Sequence, residues 1–504
     1  MRILGLSFGF HDAGACMLNE DIIEFAGHSE RYSKLKNDPW INHELIQAAT
    51  EKGDPDVIVL HENAWAKKLR NFVNGNWRAL REPTQKQWIK KFYPELKGIP
   101  IQTYWHHETH ATAGVLSSKY DDCAVMVIDA IGEFNTASIW KWKDNKLTKM
   151  HSINFPSSLG LFYSAVTHRV GLKPMEDEYI LMGMAAYGKK ENWAELSNKM
   201  GKDIFKHKYP WISQKNSIAC KVNLQRGLPK DWYQGVDNFD MAAAAQHQVE
   251  NRIYSYCQHA KELVGSKNLV YMGGVALNCV ANSKLFDIFE DIFIMPNPGD
   301  CGSSLGAAAK HYHKETGKKI NWQTPYLGHN IEGKYPIKKA LKSLKEGELF
   351  GIANGRAEFG PRALGNRSLC ADPRGPDVKD KMNVIKKRQK FRPFAPMILE
   401  EYVHEYFEMP GGISHAPYMQ FVAKCKKPEE FPAIIHEDGT SRVQTVRKEE
   451  HPDLHQLLSK FHKQTGCPML LNTSLNIKGQ PIVNDEDDAK AFAQHYGVKV
   501  HVRD

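Results

Sequence analysis

The sequence has no run of about 18 uninterrupted apolar residues, the length that a membrane-spanning helix needs, and no low-complexity linker. Of its 504 residues, 42% are hydrophobic and 25% are charged. This balance is typical of globular proteins and excludes collagen-like and disordered chains. The length predicts two or three domains. Residues 1–6 enter a strand-like segment without the apolar core of a signal peptide, so we expect a cytoplasmic protein with no membrane partner.

The nine cysteines never occur as a CxxC pair. An odd number of scattered cysteines predicts reduced thiols, as in cytosolic proteins, and excludes a disulfide framework and a zinc ribbon. They are Cys16, Cys123, Cys220, Cys257, Cys279, Cys301, Cys370, Cys425 and Cys467.

The formal net charge of +9 is concentrated in short stretches. Residues 345–504 are nearly neutral, with 24 basic and 22 acidic side chains, whereas residues 67–97 hold nine basic and only two acidic ones. Residues 202–233 form a second lysine-rich stretch. Both include aromatic residues, namely Phe72, Trp77, Trp88, Phe92, Tyr93, Phe205, Tyr209, Trp211, Trp232 and Tyr233. Such stretches fit a nucleic-acid strand, whose phosphates attract cations and whose bases stack on rings; solvated helices with core aromatics are the alternative.

Two segments repeat the same order of elements. In each, an apolar strand leads to an Asp-containing turn and a hairpin, first in residues 2–30 and again in residues 123–152. Duplicated units of this kind, followed by helices such as 241–263 and 303–315, build the actin/hexokinase-type nucleotide-binding fold. Chance similarity of two hairpins is the alternative. We expect an α/β protein with a domain of residues 1–340 and a smaller C-terminal domain of residues 341–504.

A histidine pair is the first candidate site. His106 and His110 are four residues apart, so on a helix they lie on one face and can share a metal ion. Asp129, at the end of an apolar strand, and Asp300, in a Gly-rich turn, could complete the ligand set. Two histidines with carboxylates suit Fe²⁺, Mn²⁺ or Zn²⁺. Because the chain has 23 histidines, a chance pair is the alternative.

The turn after the first predicted strand carries a second candidate site, His11 and Asp12. In an actin-like fold this turn faces the nucleotide, and a neutral imidazole with an ordinary pKa of about 6.5 could take a proton from an attacking hydroxyl. The alternative is that His11 only caps the turn. Further along, Gly273 and Gly274, with Asn278, offer groups that can bind phosphate or ribose.

The C-terminal domain has arginines beside Gly and Pro turns although it is nearly neutral overall. Guanidinium groups bind phosphate and carboxylate in bidentate fashion, so these arginines predict a pocket for a polyanionic small ligand. Solvated, salt-bridged arginines are the alternative. The residues considered for this pocket include Arg362, Arg367, Lys386, Arg392, Arg442, Arg447, Asn472 and Ser474.

In this combination and order, the motifs resemble the O-carbamoyltransferases of antibiotic and nodulation-factor biosynthesis. The resemblance covers nearly the whole chain. It is carried by HDAG (11–14), HHETHA (106–111), DAIGE (129–133), GGVALN (273–278), GDCGSSLGAA (299–308), EFGPRALGNRS (358–368), FRPFAP (391–396) and LLNTSLN (470–476).

The resemblance implies an ASKHA-type N-terminal domain and a YrdC-like α+β C-terminal domain. It also implies an enzyme that carbamoylates a hydroxyl with carbamoyl phosphate and ATP, through a carbamoyl-adenylate and with Mg²⁺ accompanying the nucleotide. The implied metal ligands are His106, His110, Asp129 and Asp300, with Fe²⁺ the first choice and Mn²⁺ or Zn²⁺ the alternatives. The implied binders of carbamoyl phosphate and ATP are Arg362, Lys386, Arg392, Arg442, Arg447, Asn472 and Ser474, beside Gly273, Gly274 and Asn278. Catalytic roles would fall to His11, Asp12, Lys386 and Arg392.

Two positions depart from the family pattern. Ala130 replaces a Gly after Asp129, which leaves the ligand intact. Ile180 replaces a Lys, which alters the expected pocket for the acceptor or the intermediate. Family acceptors include antibiotic sugars and lipo-oligosaccharides, and viral relatives are associated with hydroxymethylated cytosine.

The basic stretches favour 5-hydroxymethylcytosine in DNA or its nucleotide as the acceptor, with a small-molecule sugar as the alternative. A non-catalytic ASKHA-type ATP-binding regulatory protein is the alternative of another class. A homodimer is compatible with the sequence.

Overall fold

The computed structural model describes residues 1–205, 224, 227–228 and 231–504. They form two units, each built from segments that are separated in sequence. Unit 1 comprises Met1–Gly9, Cys16–Ile22 and Asp54–Asn321, and unit 2 comprises Phe10–Ala15, Ile23–Gly53 and Trp322–Asp504. The domain boundary at residue 340 stays a prediction.

Strands and helices alternate along most of the described chain. The strands are β1 Arg2–Ser7, β2 Gly14–Asn19, β3 Ile22–His28, β4 Val57–Leu60, β5 Ile101–Thr103, β6 Cys123–Ile128, β7 Asn135–Lys143, β8 Lys146–Asn154, β9 Asn268–Met272, β10 Asp291–Phe293, β11 Tyr326–Ile331, β12 Phe350–Ala353, β13 Gly355–Glu358, β14 Arg367–Ala371, β15 Ala395–Leu399, β16 Phe407–Glu408, β17 Val422–Cys425, β18 Thr440–Arg442, β19 Gln444–Val446, β20 Met469–Ser474 and β21 Lys499–His501.

The helices are α1 Glu30–Ser33, α2 His43–Thr50, α3 Ala64–Val73, α4 Gln85–Phe92, α5 His106–Ser117, α6 Leu159–Arg169, α7 Glu178–Met184, α8 Lys190–Ile204, α9 Asn238–Val264, α10 Cys279–Ser283, α11 Ser303–Thr316, α12 Ile337–Lys345, α13 Val378–Ile385, α14 Val403–Tyr406, α15 Pro452–Thr465 and α16 Glu486–Tyr496. Within the described residues, none of them combines the length and hydropathy of a membrane-spanning segment.

Two five-stranded sheets share one strand order. The first runs β3-β2-β1-β4-β5 and the second runs β8-β7-β6-β9-β10, so each follows the order 3-2-1-4-5 when numbered from its own first strand. In both sheets the first strand pairs in parallel with the fourth, and the fourth with the fifth. This repeated order confirms the predicted duplication and the actin/hexokinase-type fold of the N-terminal part.

The parallel strands bring their carboxyl ends to one edge of each sheet. Strands β1, β4, β6 and β9 are buried along almost their whole length, as their continuous apolar sequences require. Helices α5 and α11 pack on each other with no room for a side chain at Gly306, because a Cβ there would overlap the carbonyl oxygen of Thr109. The residues that follow these strands therefore extend from a buried, closely packed core.

Unit 2 contains a six-stranded mixed sheet in the order β19-β15-β20-β14-β12-β21. Helix α15 buries Leu454, Leu457, Leu458 and Phe461, the spacing of one apolar face. This architecture confirms the predicted α+β character of the C-terminal part.

The early chain segment Ile23–Gly53 is an integral part of unit 2. The buried Arg31 guanidinium donates hydrogen bonds to the carbonyl oxygens of Gly360 and Val483, each at 3.4 Å. Lys34 lies 2.5 Å from an Asp488 carboxylate oxygen, and Arg356 donates to the carbonyl oxygen of Glu24 at 2.6 Å. Unit 2 is thus completed by residues from the first tenth of the chain.

Arg367, considered above for the anion pocket, is fully buried in unit 2. Its guanidinium donates to five carbonyl oxygens, those of His329, Asn354, Gly355, Asn366 and Asn484. Burial lowers the pKa of Arg367 to about 10, and Glu358 opposes that effect. The role of Arg367 is structural, because its donors are used within the protein.

Arg367→Met should destabilise unit 2 severely, because each buried carbonyl oxygen left without a donor costs ~1–3 kcal/mol. We expect the free energy of unfolding to fall by about 3 kcal/mol or more, measured by chemical denaturation monitored by tryptophan fluorescence. The control is Arg374→Met, since Arg374 is 37% exposed and pairs with Asp372. Equal stability of the two variants would contradict the structural role.

Candidate functional site

The predicted histidine pair lies on α5, as expected, and both rings are buried. The Nε2 atoms of His106 and His110 are 3.1 Å apart. Asp129 follows β6 and Asp300 lies just before α11; these two elements place both carboxylates beside the rings. The Asp129 Oδ2 atom is 3.1 Å and 3.3 Å from the two Nε2 atoms, and the Asp300 Oδ1 atom is 3.4 Å from each. The structure therefore brings all four predicted ligands together.

The spacing of these four donor atoms fits a bound metal ion. Ligand atoms about 2.0–2.2 Å from a common ion lie roughly 3.0–3.5 Å from one another. The measured separations between the histidine and carboxylate atoms fall within this range, from 3.1 to 3.4 Å. A set of two imidazoles and two carboxylates also matches the donors that Fe²⁺, Mn²⁺ and Zn²⁺ accept.

The electrostatics of the cluster favour positive charge at its centre. Burial lowers the pKa of His106, but the carboxylates of Asp300 and Asp129 outweigh burial and raise it well above its usual value. Burial would raise the pKa of both aspartates, yet the histidines hold the pKa of Asp129 well below normal and that of Asp300 at about 2. Both carboxylates are therefore ionised at neutral pH.

A second group of residues beside the cluster was not foreseen from the sequence. His61 and Glu62 follow β4, and the His61 ring centre is 5.3 Å from that of His106. Burial lowers the pKa of His61 to about 4, so its ring is neutral. Glu62 pairs with Lys67 at 2.7 Å and accepts a hydrogen bond from Gln85 at 3.3 Å. The one feature of the sequence that could have indicated a functional role for His61 and Glu62 is their position directly after an apolar strand.

Three of the basic side chains in residues 67–97 point inward. Lys67 binds Glu62, Lys68 donates to the carbonyl oxygen of Leu80 at 3.3 Å, and Arg70 donates to the carbonyl oxygen of Gly132. The other six are exposed, and they are Arg78, Arg81, Lys86, Lys90, Lys91 and Lys97.

The aromatic residues of both basic stretches divide between surface and core. Trp77 is 68% exposed and Phe92 is 40% exposed, whereas Tyr93 is buried. Trp65, which lies just outside the stretch, is also 68% exposed. In the second stretch Phe205 is buried against Phe162, the carbonyl oxygens of Trp232 and Tyr233 accept hydrogen bonds from Arg169, and Tyr209 and Trp211 lie outside the described residues.

His11 and Asp12 belong to unit 2, whereas the four predicted metal ligands belong to unit 1. Asp12 lies 3.2 Å from the Nδ1 atom of His28. Burial would raise the pKa of Asp12, but His28, His11 and Lys36 outweigh it and hold the pKa below its usual range. The turn therefore carries an ionised carboxylate beside the half-buried His11 imidazole.

The Gly-Gly motif packs against Asp129, one of the predicted metal ligands. The Gly274 N–H donates to the Asp129 Oδ1 atom at 3.3 Å, and the Gly273 N–H donates to the carbonyl oxygen of Pro298 at 2.8 Å. The Asn278 amide oxygen accepts hydrogen bonds from the Ala281 N–H and from Gln246. Nucleotide binding by this motif stays a prediction.

In unit 2, the structure brings together two residues predicted to bind phosphate. The buried Lys386 ammonium donates to the carbonyl and hydroxyl oxygens of Ser474, at 2.6 Å and 3.2 Å, and to the amide oxygen of Asn476 at 2.6 Å. Burial, with the nearby cations Arg388 and Arg392, lowers the pKa of Lys386 well below its usual value. An anionic ligand would reverse that shift, because it would neutralise the clustered positive charge.

Three other candidates lie elsewhere in unit 2, one of them at a small cleft. Arg447 lines the cleft with Gln444 and pairs with Glu400 at 2.6 Å. The Asn472 amide donates to Gln444 at 2.8 Å and to the carbonyl oxygen of Ala363, which follows Arg362, at 2.9 Å. Arg442 lies on β18, and its buried Nε atom has no hydrogen-bond partner among the residues that the structure describes.

Comparison with known proteins gives matches along most of the chain. A family model described as carbamoyltransferase N-terminus matches residues 2–309, and one described as carbamoyltransferase C-terminus matches residues 341–503. An uncharacterized protein of Synechocystis sp. is 32% identical over 97% of this chain and 93% of its own length. Nodulation protein NolO of Bradyrhizobium diazoefficiens is 34% identical over 76% of this chain and 75% of its own.

An enzyme and a solved structure are also similar to the chain. The 3'-hydroxymethylcephem-O-carbamoyltransferase of Amycolatopsis lactamdurans is 26% identical, over 97% of this chain and 95% of its own length. The crystal structure of HypF from T. kodakarensis has a TM-score of 0.37 and 12% identity, covering 63% of this chain and 48% of HypF.

We expect the four-residue cluster to bind a divalent ion, and His106→Ala to lose it, because two imidazole nitrogens are needed to complete the donor set. Elemental analysis of purified protein measures the metal content. The matched control is His168→Ala, an exposed histidine of unit 1. Full metal occupancy in the His106 variant would show that the ligand set is wrong.

Proposed function

This chain belongs to the carbamoyltransferase family, and from that membership we propose that it transfers a carbamoyl group from carbamoyl phosphate to an acceptor hydroxyl in an ATP-dependent reaction. The observation that carries the proposal is the buried cluster of His106, His110, Asp129 and Asp300, with donor atoms at metal-ligand spacing. The scattered cysteines, which never occur as a CxxC pair, support a cytoplasmic location.

In the first half-reaction, water would hydrolyse carbamoyl phosphate to carbamate and phosphate, and a carbamate oxygen would then attack the α-phosphorus of ATP, which releases pyrophosphate and forms a carbamoyl-adenylate. Lys386 and Arg392 would bind the anionic phosphates and stabilise the charge that develops as the adenylate forms. The other predicted phosphate binders are Arg362, Arg442, Arg447, Asn472 and Ser474. The placement of Lys386 against Ser474 supports this assignment, since an ammonium held by oxygens is oriented before the ligand arrives.

The second half-reaction joins the carbamoyl carbon to the acceptor oxygen and releases AMP. His11 would accept the proton of the acceptor hydroxyl, and the ionised Asp12 beside it would stabilise the resulting imidazolium. A divalent ion held by the four-residue cluster, with Fe²⁺ the first choice, would act as a Lewis acid on the carbamoyl or phosphate oxygens.

Lys386→Ala or Arg392→Ala should abolish carbamoyl-adenylate formation, because each removes a cation that the phosphates need. The assay follows ATP turnover that depends on carbamoyl phosphate. Lys338→Ala is the control, since Lys338 is an exposed cation on α12. Undiminished turnover in the Lys386 or Arg392 variant would refute the pocket, and turnover of ATP that never needs carbamoyl phosphate would favour the regulatory alternative.

The acceptor that we propose is a 5-hydroxymethylpyrimidine in DNA or as a nucleotide. Residues 67–97 hold six exposed cations and the exposed ring of Trp77, and the exposed ring of Trp65 lies just before them in sequence, a combination that suits bases and phosphates. The same segment is tied to the metal-site region, because Arg70 binds the carbonyl oxygen of Gly132 and Lys67 binds Glu62. A small-molecule sugar is the alternative acceptor.

The acceptor is tested by offering hydroxymethylcytosine DNA, the matching nucleotide and an aminoglycoside, each with ATP and carbamoyl phosphate. Mass spectrometry should show the gain of a carbamoyl group on the pyrimidine. Single strands should react faster than duplexes, in which flipping the base out costs a few kcal/mol. Trp77→Ala should raise KM for a single strand about tenfold, the loss of one stacking contact, while Trp322→Ala in unit 2 should not.

Two outcomes would contradict this acceptor. Modification of the aminoglycoside alone would establish the sugar alternative. Modification of DNA that is insensitive to salt would remove the role of the basic segment, because phosphate contacts weaken steeply as salt rises.

A further inference from the structure

The helix that carries both metal-site histidines begins without a cap from its own sequence. The side chain of Trp105, the residue before α5, does not accept a hydrogen bond from the first turn of the helix. The N–H groups of that turn therefore need other partners. Glu133, from the loop after β6, supplies one. Its Oε1 and Oε2 atoms lie 3.0 Å and 3.2 Å from the backbone nitrogen of His106, and Glu133 is only 3% exposed.

The same carboxylate also fixes the segment after β4. The Oε1 atom of Glu133 accepts the N–H of Asn63 at 2.7 Å. Asn63 in turn caps α3 by accepting hydrogen bonds from the N–H groups of Trp65 and Ala66. One buried side chain thus joins the start of α5 to the start of α3.

The loop that carries Glu133 also carries a metal ligand, and it is held firmly. Asp129 and Glu133 stand four residues apart on it. The carbonyl oxygen of Ala130 accepts a hydrogen bond from Ser158 at 2.6 Å, and the carbonyl oxygen of Gly132 accepts one from Arg70. A Cβ at Gly132 would lie 3.2 Å from the His106 ring. The positions of the ligand, the loop and the ring are therefore interdependent.

We propose that Glu133 is a positioning residue of the metal centre. By accepting the N–H of His106 it sets the start of α5, and so the direction in which the Nε2 atoms of His106 and His110 face Asp129. This inference rests on the metal centre proposed above. A negative charge at a helix N-terminus is favourable, but positioning requires the acceptor oxygen, which glutamine also has.

The test titrates metal-free protein with Co²⁺ and follows the visible absorption of the bound ion. Residues that orient metal ligands typically change metal affinity about 10–100-fold when mutated, so we expect that loss in Glu133→Ala. Glu133→Gln should bind within about threefold of the wild type, because its amide oxygen can accept the same N–H groups. The control is Glu108→Ala on the same helix, whose carboxylate pairs with Lys310 at 2.8 Å.

The Co²⁺ spectrum separates positioning from a general loss of stability. A change in absorption bands in Glu133→Ala, restored in Glu133→Gln, is expected if the ligands have moved. Unchanged affinity in Glu133→Ala, or a loss of more than about tenfold in Glu133→Gln, would overturn the role of Glu133 alone. Where Glu133→Ala does not fold, a loss of more than about tenfold in the Co²⁺ affinity of Glu133→Gln would still overturn the role of Glu133. Absence of Co²⁺ binding by the wild type would overturn the metal centre as well.

Discussion

The convergence of four donor atoms inside unit 1 is the constraint on which much of that unit depends. Each of the two imidazole Nε2 atoms lies within 3.4 Å of both carboxylates, and Asp129 and His110 are among the buried residues. Buried charges are costly unless they are paired or bind a metal. The surrounding elements hold the four groups where they can pair: α5 positions both rings, the end of β6 positions one aspartate, and the start of α11 positions the other.

Much of this arrangement could be predicted from the sequence. The spacing of His106 and His110 indicates one helix face, and the apolar run before Asp129 places that carboxylate at a strand end. The duplicated order of strands was also visible, because each repeat has the same succession of apolar runs and turns. These features are local, and local patterns reveal periodicity and strand ends reliably.

Other features could not be predicted, because they depend on tertiary direction. Charge counts alone do not indicate that Lys67, Lys68 and Arg70 turn inward while their neighbours face solvent. Arg367 lies in a motif rich in Gly and Pro that predicts an anion pocket, yet its guanidinium donates to five carbonyl oxygens of the protein. His61 and Glu133 likewise become relevant only when β4, α5 and the loop after β6 are placed together.

The contribution of residues 23–53 to unit 2 has a consequence for the order in which the protein is made. Arg31 binds the carbonyl oxygen of Val483, a partner 452 residues later in the chain. During synthesis the early segment leaves the ribosome long before that partner exists, and contacts of such separation form slowly. Residues 23–53 therefore cannot form this contact until translation is almost finished. A fragment that begins after residue 340 would lack the same segment, so unit 2 is not reproduced by cutting the chain there.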